Sequence, residues 1–177
     1  MKRQYLLRSW VNAKLSRGKS KIHGDGVLVR EPIAKGEKLM EFGGESISRE
    51  EMLSGRYRIR SIWPVGEDRF IALRETDTQA SLDEYLNHSC DANAWLDDEV
   101  TLTAQRAIAP GEEITLDQGI WNFDDWYVED GETCACGASN CRGNLTDADW
   151  KLPALQSRYR GHFHPMVRAL RKAAPEQ

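Results

Sequence analysis

Apolar residues along this chain come in short clusters separated by glycine, proline and charged positions, and few stretches keep a helical period. The clusters "QYLLRSW", "VLVRE", "KLMEF", "RFIAL", "VTLTA" and "EITL" read as strands, with "VTLTA" alternating apolar and polar side chains. Pro32 closes "VLVRE", "AKG" turns, and "APGE" is a turn leading into "EITL". The stretch "AKLSRGKSKIHGDG", small and basic, reads as a loop. Helical signals are fewer. In "GGESISREEMLSG", Ser48 and Glu51 form a capping box opening a short helix that Gly55 ends. "ASLDEYLNHSC" reads as helical at first and then loop. The tail "TDADWKLPALQSRYRGHFHPMVRALRKAA" reads as two short helices, with Thr146 and Asp147 as cap candidates, Gly161 between them and Pro165 in the second helix's first turn. The pattern predicts a mostly β protein of many short strands.

Composition narrows the class. The chain has 177 residues, 40% hydrophobic and 29% charged, enough for one globular core. No apolar run reaches the ~20 residues of a membrane span, and the basic start lacks the apolar core and cleavage site of a signal peptide. These features lead us to expect a cytoplasmic protein with no membrane partner. A formal charge of −4 argues against a general phosphate binder, so direct nucleic-acid contact is not expected. The acidic runs Asp97-Asp98-Glu99 and Asp124-Asp125 could attract a basic peptide, but solvated loop edges commonly look the same.

The cysteines carry the first specific chemistry. Cys134, Cys136 and Cys141 stand at C-x-C-x4-C in a turn-rich stretch, one thiolate short of a tetrahedral zinc site. Gly137 permits the sharp turn that two thiolates one residue apart need. Cys90, His88, His162 and His164 are the candidates for the fourth position, and Cys90 would give an all-sulfur site pinning the tail to the body. Without an export signal, a metal is expected over a disulfide, with one Zn2+ per chain.

Four stretches in order, "SKIHGDGVLVREPIAKGEKLMEFGGESIS", "YLNHSCDAN", "AIAPGEEITLDQG" and "CACGASNCRG", resemble the SET-domain family of protein-lysine methyltransferases, the last being similar to its post-SET zinc motif. The resemblance implies a SET fold: short strands in several small sheets, a knot-like core, a zinc-binding tail and short C-terminal helices. It implies a SET domain over residues 18–120 after an N-terminal flank at 1–17, a linker and post-SET motif at 121–145, and a helical extension at 146–177. It also implies S-adenosylmethionine as cofactor, held by His23, Gly24, Asp25, Gly26, Asn87, His88 and Gln118, and zinc held by Cys90, Cys134, Cys136 and Cys141. The substrate would be a protein or peptide with an exposed lysine. An unperturbed lysine has a pKa of about 10.4; a narrow channel beside a sulfonium would favour the neutral amine that transfer requires.

One strand departs from the family pattern. Where "TYDY" or "TFDY" is usual, this chain reads "TLDQ", with Leu116 for an aromatic and Gln118 for the expected catalytic tyrosine. A glutamine keeps hydrogen-bonding capacity but supplies no phenol. Tyr57 and Tyr85 are candidate replacements for the hydroxyl, and Trp121, Phe123, Trp126 and Tyr127 for the channel wall or for ordinary packing. The expectation is a protein-lysine N-methyltransferase; the alternative is a non-catalytic SET-fold module that binds cofactor or peptide.

Overall fold

The computed structural model describes residues 3–123 and 132–173. Trp126, Tyr127, Asp124 and Asp125 lie outside them. Three sheets of three or four strands surround one main core, and a two-stranded ribbon, Glu132–Thr133 with Asn144–Leu145, lies in the cysteine tail. The first runs in the order Trp10–Val11, Lys38–Glu41, Thr101–Ala104, Ala94–Leu96, all antiparallel. The second runs Leu15–Lys19, Asp25–Val29, Glu113–Leu116, Asn87–His88, and its last pair is parallel, with Leu116 opposite His88. The third places Arg69–Ala72 between Glu45–Ser48 and Trp63–Gly66. The central strands are covered on both faces, so burial runs through consecutive positions: Val27, Val29, Leu39, Met40, Leu102 and Ile114 are buried and pack together. Ile47, Met52, Tyr57, Ile62, Phe70 and Ala72 form a second cluster under the third sheet.

Most expected elements are present, with instructive exceptions. The helix Arg49–Leu53 starts on the Ser48/Glu51 box, as its sequence predicts. The stretch read as a loop contains the strand Leu15–Lys19; its side chains are mostly polar, and pairing with Asp25–Val29 along its whole length makes it a strand. "QYLLRSW" yields only Trp10–Val11, with Leu7 81% exposed, so its hydrophobicity does not reflect a buried strand. Leu82–Tyr85 is a 3-10 turn capped by Ser81 and Glu84, and Asn87–His88 is drawn into the second sheet. The strand Trp63–Gly66, which contains Pro64, was not expected.

The C-terminal helices Pro153–Arg158 and Pro165–Ala173 are part of the main body. Leu155, Tyr159, Phe163 and Val167 enter the same core as the strands, and each such burial stabilises by about 1.5–3 kcal/mol. Asp97, Asp98 and Glu99 are used locally: Asp98 accepts from the backbone of Val100 and Thr101, and Asp98 and Glu99 pair with Arg3. Among the described residues no helix is long and apolar enough to cross a membrane.

Candidate functional site

The parallel pairing of Glu113–Leu116 with Asn87–His88 brings the distant "TLDQ" and "YLNHSC" stretches side by side. Asn93 completes the strand's hydrogen bonding from its other face, its amide donating to Glu113 and accepting from the Thr115 backbone at 2.8 and 3.0 Å. Just beyond the strand, the Gln118 backbone N–H donates to His88 Nδ1 at 3.1 Å. Two cavities adjoin here. An inner cavity of about 60 Å3 is walled by Phe42, Trp63, Trp121 and Leu116. An outer cleft of about 310 Å3 opens between Ile22-His23 and the cysteine tail at 133–136. Arg60, Leu86, Asn87, His88 and Gln118 line both.

The inner wall is aromatic despite Leu116. Phe42 stacks on Trp63 with centroids 3.9 Å apart, and Trp63 lies 4.8 Å from Trp121. Trp63 is fixed by its Nε1 donating to the Glu99 carbonyl at 2.6 Å. Of the aromatics raised from sequence, Trp121 reaches this wall, while Phe123 packs on His164. Two acceptor oxygens at this site, Gln118 Oε1 and Asp83 Oδ1, are buried without a hydrogen-bond partner. Burial pushes the Asp83 carboxyl up, with the hydroxyls of Ser81 and Ser9 pulling partly against it.

The tyrosine candidates lie elsewhere. Tyr85 turns its ring under Arg17, 4.1 Å from the guanidinium carbon, and its hydroxyl accepts from that arginine. Tyr57 is buried in the second core cluster with Arg74 over its ring. Neither is among the residues that line the inner cavity or the outer cleft.

The loop 23–26 also divides. His23 lines the outer cleft; Gly24, Asp25 and Gly26 do not. Asp25 turns to Arg17 and Lys19 at the surface. The close approach that Gly26 permits comes from Glu113, whose Oε1 would lie 2.2 Å from an added Cβ. That carboxylate is held by Ser20 and by the Asn87 amide, which also donates to the His23 and Asp25 carbonyls at 3.1 Å. The Asn87 side chain therefore ties the loop to the strand.

The four cysteines converge. Cys90 Sγ lies 3.9 Å from Cys134 Sγ, and the Cys90 backbone N–H points at Cys136 Sγ, 3.5 Å away. His88, Cys90, Cys134 and Cys136 present ligand atoms within 4.8 Å of one another, and Cys141 packs on the same cluster. His88 Nδ1 is occupied as an acceptor from Gln118, so the neutral ring carries its proton on Nε2 and donates it toward Cys90 Sγ at 3.4 Å. A protonated nitrogen does not ligate a metal. The chemistry thus favours four sulfurs, with His88 bracing one of them. His162 stacks on Trp95, and His164 is buried against the Pro64 carbonyl; both are remote from the cluster. Burial pushes the Cys90 thiol up to about 11. For Cys136 burial is outweighed by donors from the Cys90 and Ala138 backbone, leaving it at about 7. A cation is what would let all four ionise together.

A buried ion-pair network, absent from the sequence reading, locks this tail in place. Arg142, next to Cys141, forms two bonds with Asp117 at 2.8 and 2.7 Å and one with Asp149 at 2.7 Å. Its backbone N–H reaches Cys90 Sγ at 3.4 Å. Asp117 is fully buried and also accepts from Tyr159. Asp117 lies in "TLDQ" beside Gln118, so one arginine joins the cysteine tail, the site strand and the C-terminal helices. Its only signal in sequence was its place after Cys141.

Comparison with known proteins agrees with this geometry. A family model described as SET domain matches residues 24–119. The chain belongs to the SET-domain family. Similar proteins include "Histone-lysine N-methyltransferase ATX2" of Arabidopsis thaliana, 28% identical over 77% of this chain and 13% of that protein. "Histone-lysine N-methyltransferase Set2" of Drosophila melanogaster is 33% identical over 68% of this chain and 6% of its own length. "Probable histone-lysine N-methyltransferase set-23" of Caenorhabditis briggsae is 26% identical, over 81% and 65%. This chain therefore spans only a small part of the first two relatives and 65% of the third.

Proposed function

We propose that this protein transfers a methyl group from S-adenosylmethionine to a lysine side chain of a basic protein. The observation that carries the reading is the meeting of two cavities at Gln118, one aromatic-walled and narrow, the other polar and bordered by the cysteine tail. His23, the backbone at Asn87 and His88, and Gln118 would hold the cofactor in the outer cleft. When bound, that cofactor supplies an electrophilic methyl on a sulfonium. The protein's own task is alignment and desolvation: the Phe42-Trp63-Trp121 wall excludes water, which favours the neutral amine, and Gln118 stands between the two compartments.

One zinc held by Cys90, Cys134, Cys136 and Cys141 would fasten the tail as the post-SET motif and complete the cleft. The SET unit would occupy 18–120, with the tail at 121–145 and the extension at 146–177 packed onto it. The relatives are named for histone lysines, and a net charge of −4 suits a basic partner. Thiolate ligation calls for a reducing compartment, and a histone-like substrate would place the protein with chromatin rather than free in the cytoplasm.

The second reading is a module that binds cofactor and transfers nothing, favoured by the absence of a tyrosine from the described lining of either cavity. Incubation with radiolabelled donor and a pool of lysine-rich proteins separates them. Label on lysine supports the enzyme; donor binding with no label supports the module. In the latter case Gln118→Tyr restoring transfer would trace the defect to the missing phenol.

A further inference from the structure

The inner cavity carries an unmet chemical demand. Glu84 beside it is satisfied, pairing with Arg58 at 2.8 Å and accepting from the Ser81 backbone at 2.7 Å. Asp83 is only partly satisfied: its carboxyl accepts from the Ser81 and Ser9 hydroxyls, but its Oδ1 is buried with no donor, and Gln118 Oε1 is in the same condition; both residues line the cavity. Leaving a buried acceptor unpaired is costly, more so for a carboxylate. Two acceptors in one pocket call for a ligand with several N–H donors, and a cationic one. An apolar or acidic ligand would leave both oxygens unpaired, and a single hydroxyl donor would leave one.

We propose that Asp83 and Gln118 form the seat of the acceptor amine, Asp83 Oδ1 and Gln118 Oε1 taking N–H donors of the substrate ammonium and the Asp83 carboxylate then accepting its proton. One N–H bond breaks, one O–H bond forms, and the amine is left neutral with its lone pair free. The inference rests on the lysine-transfer reading for the identity of the ligand, and it gives Gln118 an acceptor's role in place of a phenol's. The raised pKa of Asp83 narrows the gap between it and a desolvated ammonium. Among the described residues, Glu84 pushes the Asp83 pKa up further, and the charged or titratable Arg60 and His88 share the cavity lining with it. Ser81 and, from the N-terminal flank, Ser9 supply hydroxyls.

The test uses the full chain, n-butylammonium as a lysine mimic, and Asp83→Asn. Butylammonium binding followed by NMR should weaken about 10-fold or more in Asp83→Asn, as expected for loss of a charge-assisted hydrogen bond, while donor binding is unchanged. The melting temperature should stay equal or rise, because the variant removes a buried unpaired charge; a merely structural carboxylate would show a fall. In transfer assays Asp83→Asn should lose at least about 10-fold at neutral pH and recover as pH rises and solvent deprotonates the lysine. Asp83→Ala should behave as Asp83→Asn does. Equal butylammonium affinity in wild type and variants, or an unchanged pH profile, overturns the proposal, as does tighter binding of propylguanidinium than of butylammonium. If butylammonium binding depends on Asp83 but no lysine is methylated, the seat stands and the transfer reading fails.

Discussion

The two compartments of this site are built from different materials. The inner cavity is cut into the main core, with Phe42, Trp63 and Trp121 belonging to the same buried cluster as the sheet residues. Its shape should survive anything that leaves the core intact. The outer cleft has one wall on the second sheet and the other on a tail whose apolar support, among the described residues, is little more than Cys90, Leu145 and Ala138. That wall is held by a buried ion-pair network and by thiols, Cys90 above all, whose ionisation burial opposes. The lesson is a division of labour: the inner compartment owes its form to packing and the outer to electrostatics and, on the proposed reading, to a metal.

The largest effect should come from the metal. Chelation, or Cys90→Ser, should release one zinc per chain, abolish measurable donor binding and lower the melting temperature by about 20 °C or more, while butylammonium still binds the inner cavity. Calorimetry with both ligands checks this, and equal loss at both compartments would break the comparison. Next is Arg142→Ala, which leaves Asp117 buried and uncompensated. We expect about 3–5 kcal/mol of lost stability, or about 6–20 °C in melting temperature, read by thermal unfolding against an Asp117→Asn/Arg142→Ala double variant that recovers part of the loss.

A pH effect of comparable size belongs to the core side. Burial holds His164 down at about 4 from an ordinary value of 6.5. Between those values the unfolded chain binds a proton that the folded chain refuses, so stability is full above about 6.5 and falls as pH drops toward 4. The span corresponds to about 3 kcal/mol. Urea unfolding at neutral pH and near pH 4.5 should show the loss in wild type and a smaller one in His164→Gln. The smallest expected effect is Gln118→Leu, which removes one acceptor at the junction of the two compartments: about 10-fold slower transfer together with weaker donor binding, measured by steady-state kinetics and calorimetry.

Legibility in the sequence followed the same division. The meeting of the cysteines could be read because their spacing and the "NHSC" stretch are rare patterns with few physical meanings, and Cys90 does meet Cys134. The strands "VLVRE", "KLMEF", "RFIAL" and "EITL" were visible because each buries an apolar face. Leu15–Lys19 was not, since its strand character comes from its partner and not from its side chains. The inner compartment was the least legible. Trp63 and Phe42 meet only through tertiary packing, Asp83 looks in sequence like any turn acid, and the tyrosines that seemed the natural substitutes are engaged by Arg17 and Arg74.

The most direct test is whether zinc-loaded protein, given S-adenosylmethionine and intact histones, leaves methyl groups on lysine side chains, as read by peptide mass spectrometry. Lysine methylation that disappears on chelation is the expected result. Stoichiometric donor binding with every lysine unmodified would contradict the claim that the two compartments work as one transfer site.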